Sequence, residues 1–256
     1  MSGSETKPAG APSIPGKEAL RPPLPRRFYK EVSVAPSENG FAVLLDGKSV
    51  RTPRKLPLTV PTQALAEALA QEWAAQKEHI DPETMPLSKL AITALDAVAE
   101  RKSEVAADIV KFAGSDLLCY RAEAPEGLQR LQSEVWDPVL RWTEGQLGAR
   151  FTLAQGVMPV EQSKELLDAF AAEIAPYDAM ALASLHVMTT LLGSAVLMLV
   201  HVKGKISAED TWAAAHLDED WQISQWGIDL EASDRREKRR AEMLAASRFL
   251  SLLKAA

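Results

Sequence analysis

Glu219 lies in a stretch of sequence that does not suit a carboxylate. It belongs to Leu217-Asp218-Glu219-Asp220-Trp221-Gln222, with Trp212 upstream and Trp226-Gly227 downstream. At 100° per residue on one helix, Trp212, Glu219 and Trp226 recur every seven residues and nearly eclipse, with Ile223 beside them. A carboxylate in an aromatic-apolar stripe is costly unless it meets a cation or stays at an open surface. Two readings follow. One is a local ion pair with a basic residue of a neighbouring helix. The other is an acidic contact inside an apolar protein-binding surface, whose centre favours Trp and admits few charges.

Other chemistry is harder to find. The chain has no Gly-rich phosphate loop followed by Lys and Ser/Thr, no dinucleotide fingerprint and no nucleophile elbow. Cys119 sits in Asp116-Leu117-Leu118-Cys119-Tyr120 with no base adjacent in sequence, which suits a buried structural thiol. His216 with Asp218, Glu219 and Asp220 could offer nitrogen and oxygen ligands. On a helix, however, those acids spread over more than half the circumference, so no metal site and no cofactor is expected. The basic run Arg235, Arg236, Lys238, Arg239, Arg240 is interleaved with Asp234, Glu237 and Glu242 and reads as a solvated helix face. An enzyme would have to draw acid and base groups from Asp116, Arg121 and Glu219 gathered in one cleft. That is the competing reading.

Composition narrows the classes further. The chain has 256 residues, a net charge of −6 and 25% charged residues. The acidic balance argues against a general nucleic-acid binder, which gains affinity by neutralising phosphates. A single Cys excludes an internal disulfide. Forty alanines point to helix, and six of the fifteen aromatic residues are Trp. Residues 1–25 hold six of the sixteen prolines and read as a disordered arm. The arm has neither a secretory apolar core nor an Arg-rich amphipathic pattern, so a cytoplasmic location is expected. Residues 179–202 carry no formal charge and are long enough to span a bilayer. Small polar residues recur along them, and no second span or aromatic belt accompanies them, so a buried core helix is expected and not a membrane insertion.

The elements that must position these side chains fall into two regions. From Phe28 the pattern has period two, with Asn39-Gly40 and Asp46-Gly47 as hairpin turns and a short edge strand at Leu56–Val60. After Pro61 the period becomes 3.6, with Thr62 as N-cap and Leu65, Leu69 and Trp73 on one face. Beyond residue 87 helices dominate: 87–98, 105–112, 125–147, 162–174, 180–202, 207–226 and 233–253. Pro138 is expected to break or sharply kink the helix at 125–147. Residues 150–153 form a possible short strand. Ser207 with Asp210 resembles a capping box. The fold class expected is α+β: an arm at 1–25, a small antiparallel sheet plus helix at 26–86, and a mainly helical domain at 87–256.

Several landmarks share a familiar order: Arg27-Phe28-Tyr29, Leu45-Asp46-Gly47, Thr52-Pro53, Glu72-Trp73, Asp116-Leu117-Leu118-Cys119-Tyr120-Arg121, Trp136-Asp137-Pro138, and Leu217 to Gln222 followed by Trp226-Gly227. Together they resemble the assembly chaperone family of the F-type ATP synthase catalytic sector, the chaperone of the α subunit, over residues 26–250. The resemblance implies a non-enzymatic protein that binds the free α subunit until the β subunit replaces it, and a monomer is expected. It also implies that the Glu matching Glu219 is functionally important and that the Trp matching Trp73 is a hallmark; the helical spacing above adds Trp212, Ile223 and Trp226 to Glu219 as the expected partner surface. Trp73, Asp116, Tyr120, Arg121, Trp136 and Asp137 are then expected to lock the fold and fix the two domains together. Trp221 departs mildly from relatives that carry Tyr. The arm does not look like the targeting sequence of mitochondrial members, which favours a bacterial cytoplasmic protein.

Overall fold

The structure, a computed structural model, describes residues 23–255 apart from residues 157 and 228. The first 22 residues of the Pro-rich arm lie outside this range. The sheet is built on one hairpin. Strands β1 (Val32–Ser37) and β2 (Gly40–Leu45) pair antiparallel from Val32↔Leu45 to Ser37↔Gly40. On the other edge of β2 lie β3 (Lys48–Ser49) at one end and β4 (Thr59–Val60) at the other. Asp46 and Gly47 both have positive φ, 47° and 75°, as a two-residue turn of the primed type requires. Gly40 is needed for another reason: a Cβ there would stand 2.2 Å from the Val60 carbonyl oxygen, so a side chain would push β4 away.

Helix α1 (Gln63–Ala75) covers the sheet, and the Thr62 hydroxyl accepts from the Leu65 N–H at its start. Leu65 and Leu69 are fully buried beneath it. A short 3₁₀ turn at Pro82–Thr84 leads to α2 (Pro86–Thr93), which runs into a π turn at Ala94–Val98. Then follow α3 (Lys102–Gly114), β5 (Tyr120–Arg121), α4 (Glu126–Leu147), β6 (Ala154–Gln155) and α5 (Lys164–Ile174). The chain is completed by α6 (Ala179–Leu192), α7 (Ala195–Val202), α8 (Ala208–Ala215), α9 (Leu217–Trp226) and α10 (Leu230–Lys254). The strand expected at 150–153 lies a little later, where β6 pairs parallel to β5.

Two expected helices are in fact pairs. The uncharged stretch 179–202 is cut at Gly193, which takes φ 65° and leaves Ser194 to cap α7 through the Leu197 N–H. Among the described residues no helix is long and apolar enough to cross a membrane. The segment 207–226 is cut at His216. Its Nδ1–H donates to the Trp212 carbonyl, and its ring stacks on the Trp212 indole with centroids 3.7 Å apart. A side chain that occupies the i−4 carbonyl and packs against the helix competes with continuing it.

Pro138 has the opposite outcome. Helix α4 runs unbroken through it. Pro138 and Glu134, the residue whose carbonyl loses its helical donor, are both exposed, while Trp136, Val139 and Leu140 on the other side are buried. Burial of that apolar side outweighs one missing hydrogen bond.

Candidate partner-docking site

Helix α9 is held from two sides. On one side the Gln132 side chain of α4 donates to Asp218 Oδ1 at 2.8 Å. Trp221 lies over Gly127 of the same helix, and a Cβ at 127 would meet the indole at 2.7 Å. On the other side Arg236 of α10 reaches Asp220 Oδ1 at 2.5 Å and Glu219 Oε2 at 3.8 Å. Between α9 and α10 lies a cleft of about 680 Å³. Glu219, Asp220, Ile223 and Trp226 line one wall, and Arg235, Arg236 and Arg239 line the other.

The local ion pair and the exposed contact, posed as alternatives by the sequence, are both partly present. Arg236 spends its close contact on Asp220, so Glu219 has a cation nearby but accepts no hydrogen bond among the described residues. The Glu219 side chain is 53% exposed. Trp226 is 80% exposed, an unusual position for the largest apolar side chain. The other cleft cations are already occupied: Arg235 pairs with Glu231, and Arg239 donates to the Leu191 carbonyl. Trp212 belongs elsewhere. The break at His216 turns it into the core, 4% exposed, and it contributes nothing to the surface that Glu219, Ile223 and Trp226 share. Burial holds the His216 imidazole below its ordinary range, which favours the neutral form of the ring stacked on Trp212.

The residues expected to fix the two regions make their contacts inside the helical region, with one exception. The Trp136 indole N–H donates to the Ala214 carbonyl at 2.8 Å, tying α4 to α8. Arg121 pairs with Asp137 at 2.6 Å and lies over the Trp136 ring, tying β5 to α4. Tyr120 takes part through its backbone pairing with Ala154. Asp116 is fully buried at the α6–α7 break, accepting from Ser194 Oγ at 2.7 Å and from the Val196 and Leu118 N–H groups. Desolvation raises its carboxyl to about 6. Trp73, the exception, packs edge-on against Tyr29, whose hydroxyl donates to the Trp73 carbonyl, within the sheet region.

A different set of side chains crosses from 26–86 to 87–256. The Glu72 carboxylate accepts from the Leu87 and Ser88 N–H groups at 2.8 Å each, capping α2 from α1. Thr52 donates to Asp96 at 2.6 Å, Arg54 reaches Asp96 and Glu100, and Thr62 donates to the Leu252 carbonyl at 2.8 Å. Glu72 stands next to Trp73 in the quoted dipeptide, but sequence spacing gives no sign that it caps a helix fifteen residues on.

Asp116, Arg121 and Glu219 do not converge. Glu219 lines the α9–α10 cleft, Arg121 a separate hollow beside β6, and all of Asp116 is enclosed in the core. Cys119 is buried, with its thiol pushed up to about 12 mainly by desolvation. Among the described residues no group of three or more His, Cys, Asp or Glu side chains could hold a metal ion.

Comparison with known proteins agrees with this architecture. The model of the ATP12 chaperone protein family matches residues 26–144. The crystal structure of Atp12 from Paracoccus denitrificans is 43% identical, with a TM-score of 0.85 over 90% of this chain and 98% of that one. The chain belongs to the ATP12 chaperone family. A candidate chaperone from Agrobacterium tumefaciens is 50% identical, with a TM-score of 0.87 over 91% of this chain and 88% of its own. The mitochondrial atp12 protein of Schizosaccharomyces pombe is 24% identical over 245 residues, which are 90% of this chain and 84% of the yeast protein. The ATP12 family model ends within α4, whereas the structural likeness covers 90% of the chain. The small sheet with helices followed by a mainly helical part is therefore the ATP12 architecture.

Proposed function

We propose that this chain is a holding chaperone for the F-type ATP synthase, that it acts as a monomer on the free α subunit before the β subunit takes its place, and that the α9–α10 cleft is where the α subunit docks. In this reading residues 87–256 carry the docking surface and residues 26–86 buttress it. The supporting observation is the placement of Trp226, 80% exposed, with Ile223 and the incompletely paired Glu219 in one cleft. An aromatic anchor beside a charge with unmet hydrogen-bonding capacity is the composition of an interaction hot spot. A subunit made for a ring exposes apolar interface before assembly, and such surface aggregates unless covered. Covering it takes binding and no bond chemistry, in keeping with a chaperone family and with the scattered placement of Asp116, Arg121 and Glu219.

Light scattering tests the reading. The wild-type chain at equal concentration suppresses aggregation of free α subunit at 37 °C, and Trp226→Ala suppresses it far less while melting at the wild-type temperature. Equal suppression by the variant would show that the α subunit docks elsewhere.

A further inference from the structure

A second surface, remote in sequence from the cleft, has a face of its own. Residues 24–30 run extended beside residues 78–80: Arg27 N–H donates to the Glu78 carbonyl, Ile80 N–H donates to the Pro25 carbonyl, and Arg26 bridges to His79. Side chains alternate along such a segment. Arg27 is half-buried and Tyr29 buried, while Leu24, Arg26, Phe28 and Lys30 point outward and are exposed. The outward face therefore reads apolar, cationic, apolar, cationic.

Phe28 is 74% exposed and Leu24 45%. Phe28 is not loose, however. The Arg27 guanidinium lies over the Tyr29 ring and donates to the carbonyls of Tyr29, Lys30, Ala74 and Gln76. The N–H groups of Lys30 and Glu31 both donate to Asp46 Oδ1. The chain is thus tied down on both sides of an aromatic ring that gains little burial from folding. The edge-on contact of Phe28 with the Tyr29 ring, centroids 5.3 Å apart, holds the side chain in place while most of it stays in water, which lowers the ordering cost of a later encounter.

Charge indicates what the face receives. The outward row itself holds two cations, Arg26 and Lys30, and no carboxylate, with Asp46, Glu31 and Glu78 only at its margins, in a chain whose net charge is −6. The backbone N–H and C=O groups of Arg26 and Phe28 make no hydrogen bond among the described residues, so this edge of the extended segment is open. We infer that the Leu24–Lys30 face docks an extended protein segment that carries carboxylates and apolar side chains in turn along its one facing side, the segment adding along the open edge. Complementary charge sets the register, and Phe28 is the anchor. This inference is independent of the proposal for the α9–α10 cleft.

Site-specific photocrosslinking in cells tests it, with p-benzoylphenylalanine, close to Phe in shape, in place of Phe28 of the full-length chain. The expected result is an adduct to one protein segment, sequenced by mass spectrometry and rich in Asp and Glu beside apolar residues. Adding Arg26→Glu and Lys30→Glu is expected to cut its yield about fivefold or more, since reversing two contact charges turns attraction into repulsion. Circular dichroism checks that the doubly reversed protein keeps its fold, as exposed side chains should allow. Absence of an adduct, an adduct to residues 1–22 of the same chain, an adduct to lipid, or a yield unchanged by charge reversal would each overturn the inference.

Discussion

Glu219 and Asp116 show how differently two carboxylates are treated in one molecule. Glu219 keeps more than half of its side chain in water and shares a guanidinium already engaged by Asp220. Asp116 has no water contact and spends both oxygens on the break between α6 and α7. The desolvation cost exceeds what those hydrogen bonds return, so its carboxyl rises from an ordinary 3.8 to about 6. A carboxyl raised on folding stabilises the fold while it is protonated. Its contribution is fully present below the unfolded value and is lost as pH rises through the folded one. The wild-type unfolding free energy should therefore carry a component that falls between about pH 4 and pH 6. Asp116→Asn removes that component, so urea titrations across this range should give a flatter profile for the variant. It also sets an amide donor against a backbone N–H, costing about 1–3 kcal/mol. A variant profile parallel to wild type would show that Asp116 does not titrate as described.

At the scale of elements, the joints decide the outcome. The Asp46-Gly47 turn, the Thr62 cap and the change of period after Pro61 were legible because each is a local preference that the tertiary structure keeps. The Ser207 cap was legible too, with Asp210 bonding the Ser207 hydroxyl at 2.7 Å in place of its backbone N–H. The breaks at Gly193 and His216 were not, since one stretch is apolar enough to look continuous and the other has neither Gly nor Pro at its joint. The break at His216 depends on stacking against Trp212, and that stacking in turn placed Trp212 in the core and left Glu219, Ile223 and Trp226 on the cleft. Pro138 misled in the opposite sense, because propensity gave way to burial on the far side of α4. Two predictions belong here. Gly127 lies in the first turn of α4, where Gly→Ala would ordinarily add up to about 1 kcal/mol of stability. Here the methyl group meets the Trp221 indole at 2.7 Å, so calorimetry should show no gain and Trp fluorescence should shift as the ring moves. A full gain with an unchanged spectrum would mean that α9 does not rest on α4 in this way. Glu72→Ala leaves the Leu87 and Ser88 N–H groups at the start of α2 without their acceptor and should cost about 1–3 kcal/mol. Hydrogen exchange should quicken at those two amides first, and unchanged exchange there would refute the capping role.

At the scale of the whole molecule, the sheet region and the helical region share one continuous set of buried apolar residues, from Tyr29 through Leu250. The crossing bonds of Glu72, Thr52, Arg54 and Thr62 lie at its margins. Trp136, Arg121 and Asp137 brace α4 against β5 and α8, and α4 in turn carries α9 through Gln132 and Gly127. The cleft is thus the outer end of a chain of supports that begins in the core. That geometry lets the cleft be presented without rearrangement. As proposed above, the cleft binds the free α subunit through Glu219 and Trp226. Isothermal titration of purified α subunit into wild type, Glu219→Lys and Trp226→Ala tests it most directly. Both variants should fold as wild type and bind at least about tenfold more weakly, as truncating or reversing a hot-spot residue does. Wild-type affinity in both folded variants would show that the α subunit does not dock on this cleft.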